Sequence, residues 1–390
     1  MLRTMKTTFK TSKETTDYLY QASRLCADVY NECLDVSKEY SLRNGGKWIN
    51  QTKLQQAIKG KYPLHSQTVQ AVAHKYLFAR DAAYKARLKG YRNKYPYRKK
   101  KYFSVKWAQT GLVISGTTLH LSRGNLAGKR QTPITLRLKE LPPGTIKEVE
   151  VIYDRGLKVC LSYEDGVIAP EQKTTGVVAA SDHGEINTFS LFAENGNSLT
   201  IDGRMARSFH RFRNKKLGEL QKLMKRCKKG SRQWKRYNKA KQALLSKSDA
   251  KLNDQLHKST QEVVRWCLRN DVKTLAVGDL DGVQRNTKGK MKKKTTQKLS
   301  NWSFGKANQH LTYKLKPHGI RLVKTSEAYT TQTCPVCGNR KKSPGRTYKC
   351  RCGYKELRDV HSARNILTKY LTGTMTLLFD IKHKTHQRAS

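Results

Sequence analysis

The chain has 390 residues, with 79 Lys and Arg against 29 Asp and Glu, a formal net charge of +50. A hydrophobic fraction of 37% excludes wholesale disorder, and the length suits roughly two or three domains. So large a charge imbalance repels itself unless a polyanion shares it, which makes nucleic acid the expected partner.

The first residues, 5–10, alternate like a short strand. From 13 to 40, Leu19, Ala22, Leu25, Cys26, Val29, Tyr30 and Cys33 recur at helical spacing. Gly45-Gly46 breaks that pattern, and further helical patterns cover 51–59 and 66–89. The stretch 91–103 interleaves Tyr and Phe with Lys and Arg. Planar rings suit bases and cations suit phosphates, although an exposed loop edging a strand fits the same composition. Between 102 and 163, short alternating runs at 111–114, 118–121, 134–138, 148–153 and 157–163 lie between turn residues such as Pro142-Pro143-Gly144. They predict a small antiparallel unit, so residues 1–170 are expected to be a β unit with a helical bundle (13–90) inserted after its first strand.

A new pattern starts at 176. Gly176-Val-Val-Ala-Ala-Ser-Asp182 reads as a buried strand ending in an acid, 186–192 as the next strand and 198–201 as a third. Residues 204–247 form a very basic helical stretch split at Gly230, and 252–268 a separate amphipathic helix. The basic pair reads either as a solvated face or as a phosphate-contacting one. A strand over 272–280 ends in Gly278-Asp279, a lysine-rich loop covers 286–298, a helix 302–315, and a strand 319–324 runs into Glu327. The final helix starts near Asp359, and the tail 371–390 carries no motif.

Cys334-Pro-Val-Cys337 and Cys350-Arg-Cys352 have the spacing of two knuckles holding one tetrahedral zinc through Cys334, Cys337, Cys350 and Cys352. The other five of nine cysteines are scattered singly, which suits a reducing compartment. No run of about eighteen apolar residues occurs, and the N-terminus lacks a signal-peptide core. An intracellular protein, cytoplasmic or nucleoid-associated (nuclear in a eukaryote), is expected.

Without the basic arms and the knuckles, the second half reads β-β-β-α-β-α-β-α, the order of an RNase H-like fold. Asp182, Asp279, Glu327 and Asp359 sit where strands end or the last helix begins. Any one alone reads as a strand-end turn residue. Several in this order point to hard oxygen ligands for Mg²⁺, and so to a metal-dependent nuclease.

The ending Glu327-Ala-Tyr-Thr-Thr-Gln-Thr-Cys334 through Arg358-Asp359-Val-His-Ser-Ala-Arg-Asn-Ile366, with Asn301-Trp302-Ser303-Phe304, Gly278-Asp279-Leu280 and Asp182-His-Gly184, resembles TnpB/OrfB proteins. These are transposon-encoded RNA-guided DNA endonucleases related to Fanzor proteins and type V CRISPR effectors. The resemblance covers the second half well and the first half by architecture and charge. It implies a multidomain α/β protein. A β-barrel-like wedge with an inserted helical recognition domain occupies 1–170. A RuvC-like nuclease domain covers 171–331 and 355–370, with basic helical arms at about 204–270, and a zinc ribbon is inserted at 332–354. It also implies a structural Zn²⁺, a catalytic Mg²⁺, a guide RNA, a target DNA with a short flanking motif, and a monomer within the ribonucleoprotein.

Asp182 matches the first RuvC acid, though the usual Asp-Leu-Gly is Asp-His-Gly here, and Asp359 matches the third. Where most members have Glu-Asp-Leu, the Glu position is Gly278. One reading is a nuclease-dead, RNA-guided DNA-binding protein. The other is a rearranged site in which Glu327 completes a metal set of Asp182, Glu327 and Asp359, with Asp279 as its rival. A self-sufficient transposase ranks below both, because no residue requires strand transfer.

Overall fold

A computed structural model of the chain describes residues 1–126, 128–280, 291–375 and 383–389. The chain divides into two compact units, Met1–Val167 and Ile168–Ser390.

In the first unit, strands β1 (Leu2–Thr7) and β2 (Phe9–Lys10) precede helices α1 (Lys13–Arg43), α2 (Gln51–Ile58) and α3 (Ser66–Leu88). Strands β3 (Val105–Ala108), β4 (Leu112–Ser115), β5 (Thr118–Leu121), β6 (Asn125–Leu126), β7 (Lys129–Arg130), β8 (Ile134–Leu138), β9 (Thr145–Tyr153) and β10 (Leu157–Glu164) follow. They form two four-stranded sheets, β1-β10-β9-β3 and β2-β8-β5-β4, and the small hairpin β6-β7. The Ser12 hydroxyl accepts from the Thr15 amide (3.1 Å) and caps α1. Leu19, Ala22, Cys26, Val29 and Cys33 line its buried stripe. That stripe joins Trp107, Leu119, Leu136 and Leu161 in one continuous core, because each sheet hides alternate residues on one face.

The second unit is built on β11 (Val177–Asp182), β12 (Asn187–Ala193), β13 (Asn197–Asp202), α4 (Arg204–Lys225), α5 (Arg232–Arg269) and β14 (Val272–Gly278). It continues through α6 (Lys293–Asn301), α7 (Phe304–Leu315), β15 (Arg321–Thr325), β16 (Thr347–Lys349), β17 (Lys355–Leu357), α8 (Arg358–Thr372) and β18 (Thr385–Ala389). The sheet order is β15-β14-β11-β12-β13-β18. β11 runs parallel to β14 and antiparallel to β12, and β13 runs parallel to β18. Ala179, Leu191 and Val277 face a core with Val263 and Cys267 of α5 and Leu311 of α7. Val178, Ala180 and Phe192 face Val360, Ala363 and Ile366 of α8. A strand covered on both faces reads as a continuous apolar run, as 177–181 does.

Three expectations change. The helix expected over 252–268 is the second half of one uninterrupted α5, because 232–269 contains no Gly or Pro to stop it. Of the lysine-rich loop expected over 286–298, the part up to 290 lies outside the described residues, and 293–298 belongs to α6. The tail supplies β18, an edge strand that the sequence pattern did not signal. Among the described residues, no helix is long and apolar enough to cross a membrane.

Candidate nuclease site and zinc centre

β11, at the centre of the sheet, ends on Asp182. Its parallel neighbours stop at the same edge: Gly278, the last residue of β14, pairs with Thr325, the last of β15. The Asp279 amide donates to the Thr325 carbonyl (2.8 Å), and Glu327 follows two residues on. α8 packs against β11 and β12 and carries Asp359 in its first turn, where unpaired helix amides favour a carboxylate.

Gly278 and Glu327 occupy one space. A Cβ built on Gly278 would fall on Glu327 Oε2, 3.1 Å from its Cδ and 3.3 Å from its Cβ. The backbone at 278 is of an ordinary kind, so what a side chain there would meet is the Glu327 side chain, whose carboxylate would have to move, and not backbone strain. The space beside Gly278 is thus taken by a carboxylate that arrives from beyond β15.

The electrostatics tie three acids together. Burial, then the charges of Glu327 and Asp359, hold the Asp182 carboxyl well above the usual carboxylate range; Arg358 and a hydrogen bond from Ser362 oppose them. Burial, then Asp279, push Glu327 up to about 7. Asp279 is 43% exposed, with Lys324 Nζ 3.7 Å from its Oδ1. Asp359 accepts from Asn187 Nδ2 (2.7 Å) and has Arg346 and Arg358 at 3.6 and 3.5 Å. A buried Asp182 carboxyl raised by two neighbouring carboxylates suits a divalent cation, which would relieve the repulsion. Their oxygens are more loosely gathered than the cysteine sulfurs. Among the described residues, only the four cysteines form a group of ligand atoms all within 4.8 Å.

Cys334 and Cys352 sulfurs lie 3.6 Å apart, and those of Cys337 and Cys350 3.4 Å. Four sulfurs at about 2.3 Å from one zinc stand about 3.8 Å from each other, so the donor set fits that ion. Gly338 (φ 70) and Gly353 (φ 91) turn the two knuckles in the left-handed region. The knuckles are fastened to α8. His361 stacks on Tyr348 (4.0 Å, 10°), and Arg364 lies over Phe192. Asn365 Nδ2 donates to the carbonyls of Thr330 and Thr333 (2.7 Å each). The Glu327–Thr333 segment therefore rests on the helix that presents Asp359.

Residues 304–366 match the family model of the Cas12f1-like TNB domain, and residues 150–300 that of OrfB_IS605, a probable transposase. A TnpB-like protein of Methanocaldococcus jannaschii is 26% identical over 244 residues, 60% of this chain and 81% of that one. A CRISPR-associated endodeoxyribonuclease Cas12f1 of Sulfoacidibacillus thermotolerans is 29% identical over 114 residues, 28% of this chain and 25% of that enzyme. The fold is similar to Cas12f1 in a Cas12f1–sgRNA–target DNA complex, with a TM-score of 0.63 at 16% identity over 91% of this chain and 83% of that one. Two separate stretches of the chain are thus similar to TnpB-type and Cas12f1-type proteins.

Sequence reasoning missed the residues that orient the acids. Asn187 and Ser362 are uncharged and carry no motif, although Ser362 stands three residues after Asp359 and so on the same helix face. Tyr329, two residues past Glu327, adopts φ 66 with Arg340 4.5 Å above its exposed ring. A left-handed tyrosine stores strain of a kind that clusters at functional sites. The basic–aromatic stretch 91–103 has no helix or strand and is pinned to α1. The Lys100 amide donates to Asn31 Oδ1 (2.7 Å), and Phe103 stacks on Tyr30 (4.9 Å). Tyr91, Tyr97 and Tyr102 remain exposed, with Lys94 and Arg98 over the Tyr97 ring. α4 has no fully buried residue, although Arg204, Arg207, Arg213 and Lys216 are paired with carboxylates.

Proposed function

We propose that this TnpB-type protein is an RNA-guided, Mg²⁺-dependent DNA endonuclease in which Asp182, Glu327 and Asp359 hold the metal. The observation that carries the reading is the shared volume of Gly278 and Glu327. A site that had merely lost its acid would leave that volume to water or apolar atoms. The RuvC-like nuclease domain is 171–331 and 355–370, its sheet completed by β18 of the tail, with 332–354 as its zinc ribbon and 204–270 as basic arms. The first 170 residues are the wedge with an inserted recognition domain.

Bound Mg²⁺ would supply Lewis-acid polarisation of the scissile phosphate and an activated water. The chain's own residues set its ligands. Asn187 holds the Asp359 carboxylate by one oxygen, Ser362 hydrogen-bonds Asp182, and the Glu327 carbonyl accepts from the Thr330 amide and hydroxyl (3.3 and 2.9 Å). Arg346 and Arg358 beside Asp359 keep local charge favourable for a phosphate. Guide pairing would read target sequence, while the protein reads backbone and the flanking motif. The partners are a guide RNA and target DNA, engaged by a single copy of the chain.

Glu327→Gln should abolish cutting of a guide-matched, correctly flanked duplex and leave its binding intact, a loss of several kcal/mol of barrier stabilisation. Asp279→Asn should lose much less. Cleavage that survives Glu327→Gln and vanishes in Asp279→Asn would overturn the assignment. Guided binding without cleavage by the unmutated protein would make it an inert RNA-guided DNA-binding protein.

A further inference from the structure

The β11–β12 turn directly after Asp182 floors a cleft of about 410 Å³, walled by α4, α5 and the α6–α7 junction. That volume is in the range of small-ligand pockets. Three kinds of group meet there. Trp302 and Phe304, with rings 5.7 Å apart, supply aromatic surface. Arg207 and Arg211 come from α4. His183 is 4% exposed, with neither ring nitrogen partnered among the described residues, and His210 Nδ1 and the Ser259 hydroxyl are likewise buried without a partner.

A buried polar atom without a hydrogen bond is costly, and several around one cleft point to a ligand that supplies the bonds. The ligand must be planar to lie on Trp302, must offer donors and acceptors on its edge to His183 and His210, and must be anionic to suit Arg207 and Arg211. An unpaired nucleotide has all three. Glu185 crosses the cleft wall, paired with Arg207 (3.6 Å) and Lys298 (3.2 Å); a phosphate arriving there would compete for those cations.

We propose that this cleft binds one unpaired nucleotide of the DNA strand entering the acidic site. It would hold the base against Trp302 and the phosphate at Arg207 and Arg211. The DNA source rests on the nuclease reading above, because the β11–β12 turn that floors the cleft joins Asp182 to Asn187, which holds Asp359. Holding a flanking base there would fix the register of the strand over the carboxylates.

The test uses the full chain and a short single-stranded DNA carrying one 2-aminopurine, in buffer without added divalent metal, so its result does not depend on cutting. Stacking should quench the probe. Trp302→Leu should relieve that quench and weaken binding about fivefold or more. Ala206→Phe, which fills the cleft from α4 and spares the aromatic pair, should do the same if Trp302→Leu proves unstable. His183→Leu should weaken binding while the circular dichroism stays unchanged. Quenching that persists in both Trp302→Leu and Ala206→Phe would overturn the proposal, as would no quenching at saturation. Stronger quenching of the ribose version of the oligonucleotide would overturn its assignment to DNA. Loss of cleavage in the unmutated protein, with quenching retained, would instead count against the nuclease reading alone.

Discussion

At residue 278, a side chain would meet Glu327. On the proposed reading, the two positions are alternatives for one carboxylate. Gly278→Glu alone should crowd the site and destabilise the fold by about 1–3 kcal/mol. Combined with Glu327→Ala, the same substitution should recover cleavage by at least about tenfold over Glu327→Ala alone, equivalent to about 1.4 kcal/mol of barrier. The measurement is a single-turnover cutting rate on a guide-matched duplex. A folded double variant no faster than Glu327→Ala would show that the two carboxylates are not interchangeable. Asp279 sits outside this exchange. It is exposed beside Lys324, and its charge acts on Glu327, whereas Asp182 responds to Glu327 and Asp359.

At the scale of elements, α8 joins chemistry to the zinc module. One helix carries Asp359, the Ser362 that bonds Asp182, the His361 that stacks on Tyr348, and the Asn365 that holds the backbone after Glu327. Metal binding is then part of folding for this end of the chain, since thiolates gathered without an ion gain little. Fresh protein should contain one zinc per chain. Metal analysis below about half an equivalent would remove the zinc assignment, because so closed a site does not lose its ion readily. Cys337→Ser should destabilise the segment around α8 and lower cutting without touching the acids, read as lost amide-exchange protection over 330–372. Protection unchanged there in a zinc-free variant would separate the knuckles from the site.

Across the whole molecule, +50 of net charge is the dominant fact. The basic helix α4, with no buried residue, and the exposed tyrosines Tyr91, Tyr97 and Tyr102 stay accessible. Protein purified from its natural locus should carry one enriched RNA species, and random host fragments would argue against a dedicated guide. Affinity for that RNA should fall about a thousandfold or more between 50 and 200 mM salt if six to ten phosphates are met, through counterion release. A salt-insensitive complex would mean that shape and stacking, not charge, dominate.

The features legible in the sequence were local ones. Knuckle cysteines two or three residues apart must lie close, whatever the rest of the chain does. Asp182 and Asp359 declare themselves by ending a buried apolar run and opening an amphipathic helix, which the two periodicities fix. The remainder depended on partners far apart in the chain. That Glu327 fills the space at Gly278 follows from the parallel register of β14 on β15. Asn187 reaches Asp359 across 172 positions, and β18 completes the sheet by pairing with β13, although its exposed pattern gives no strand signal. The cleft beneath Asp182 exists because four separate helices meet there. Side-chain periodicity and ligand spacing are short-range and can be read from the chain; strand register and converging helix ends are set only when the whole sheet packs.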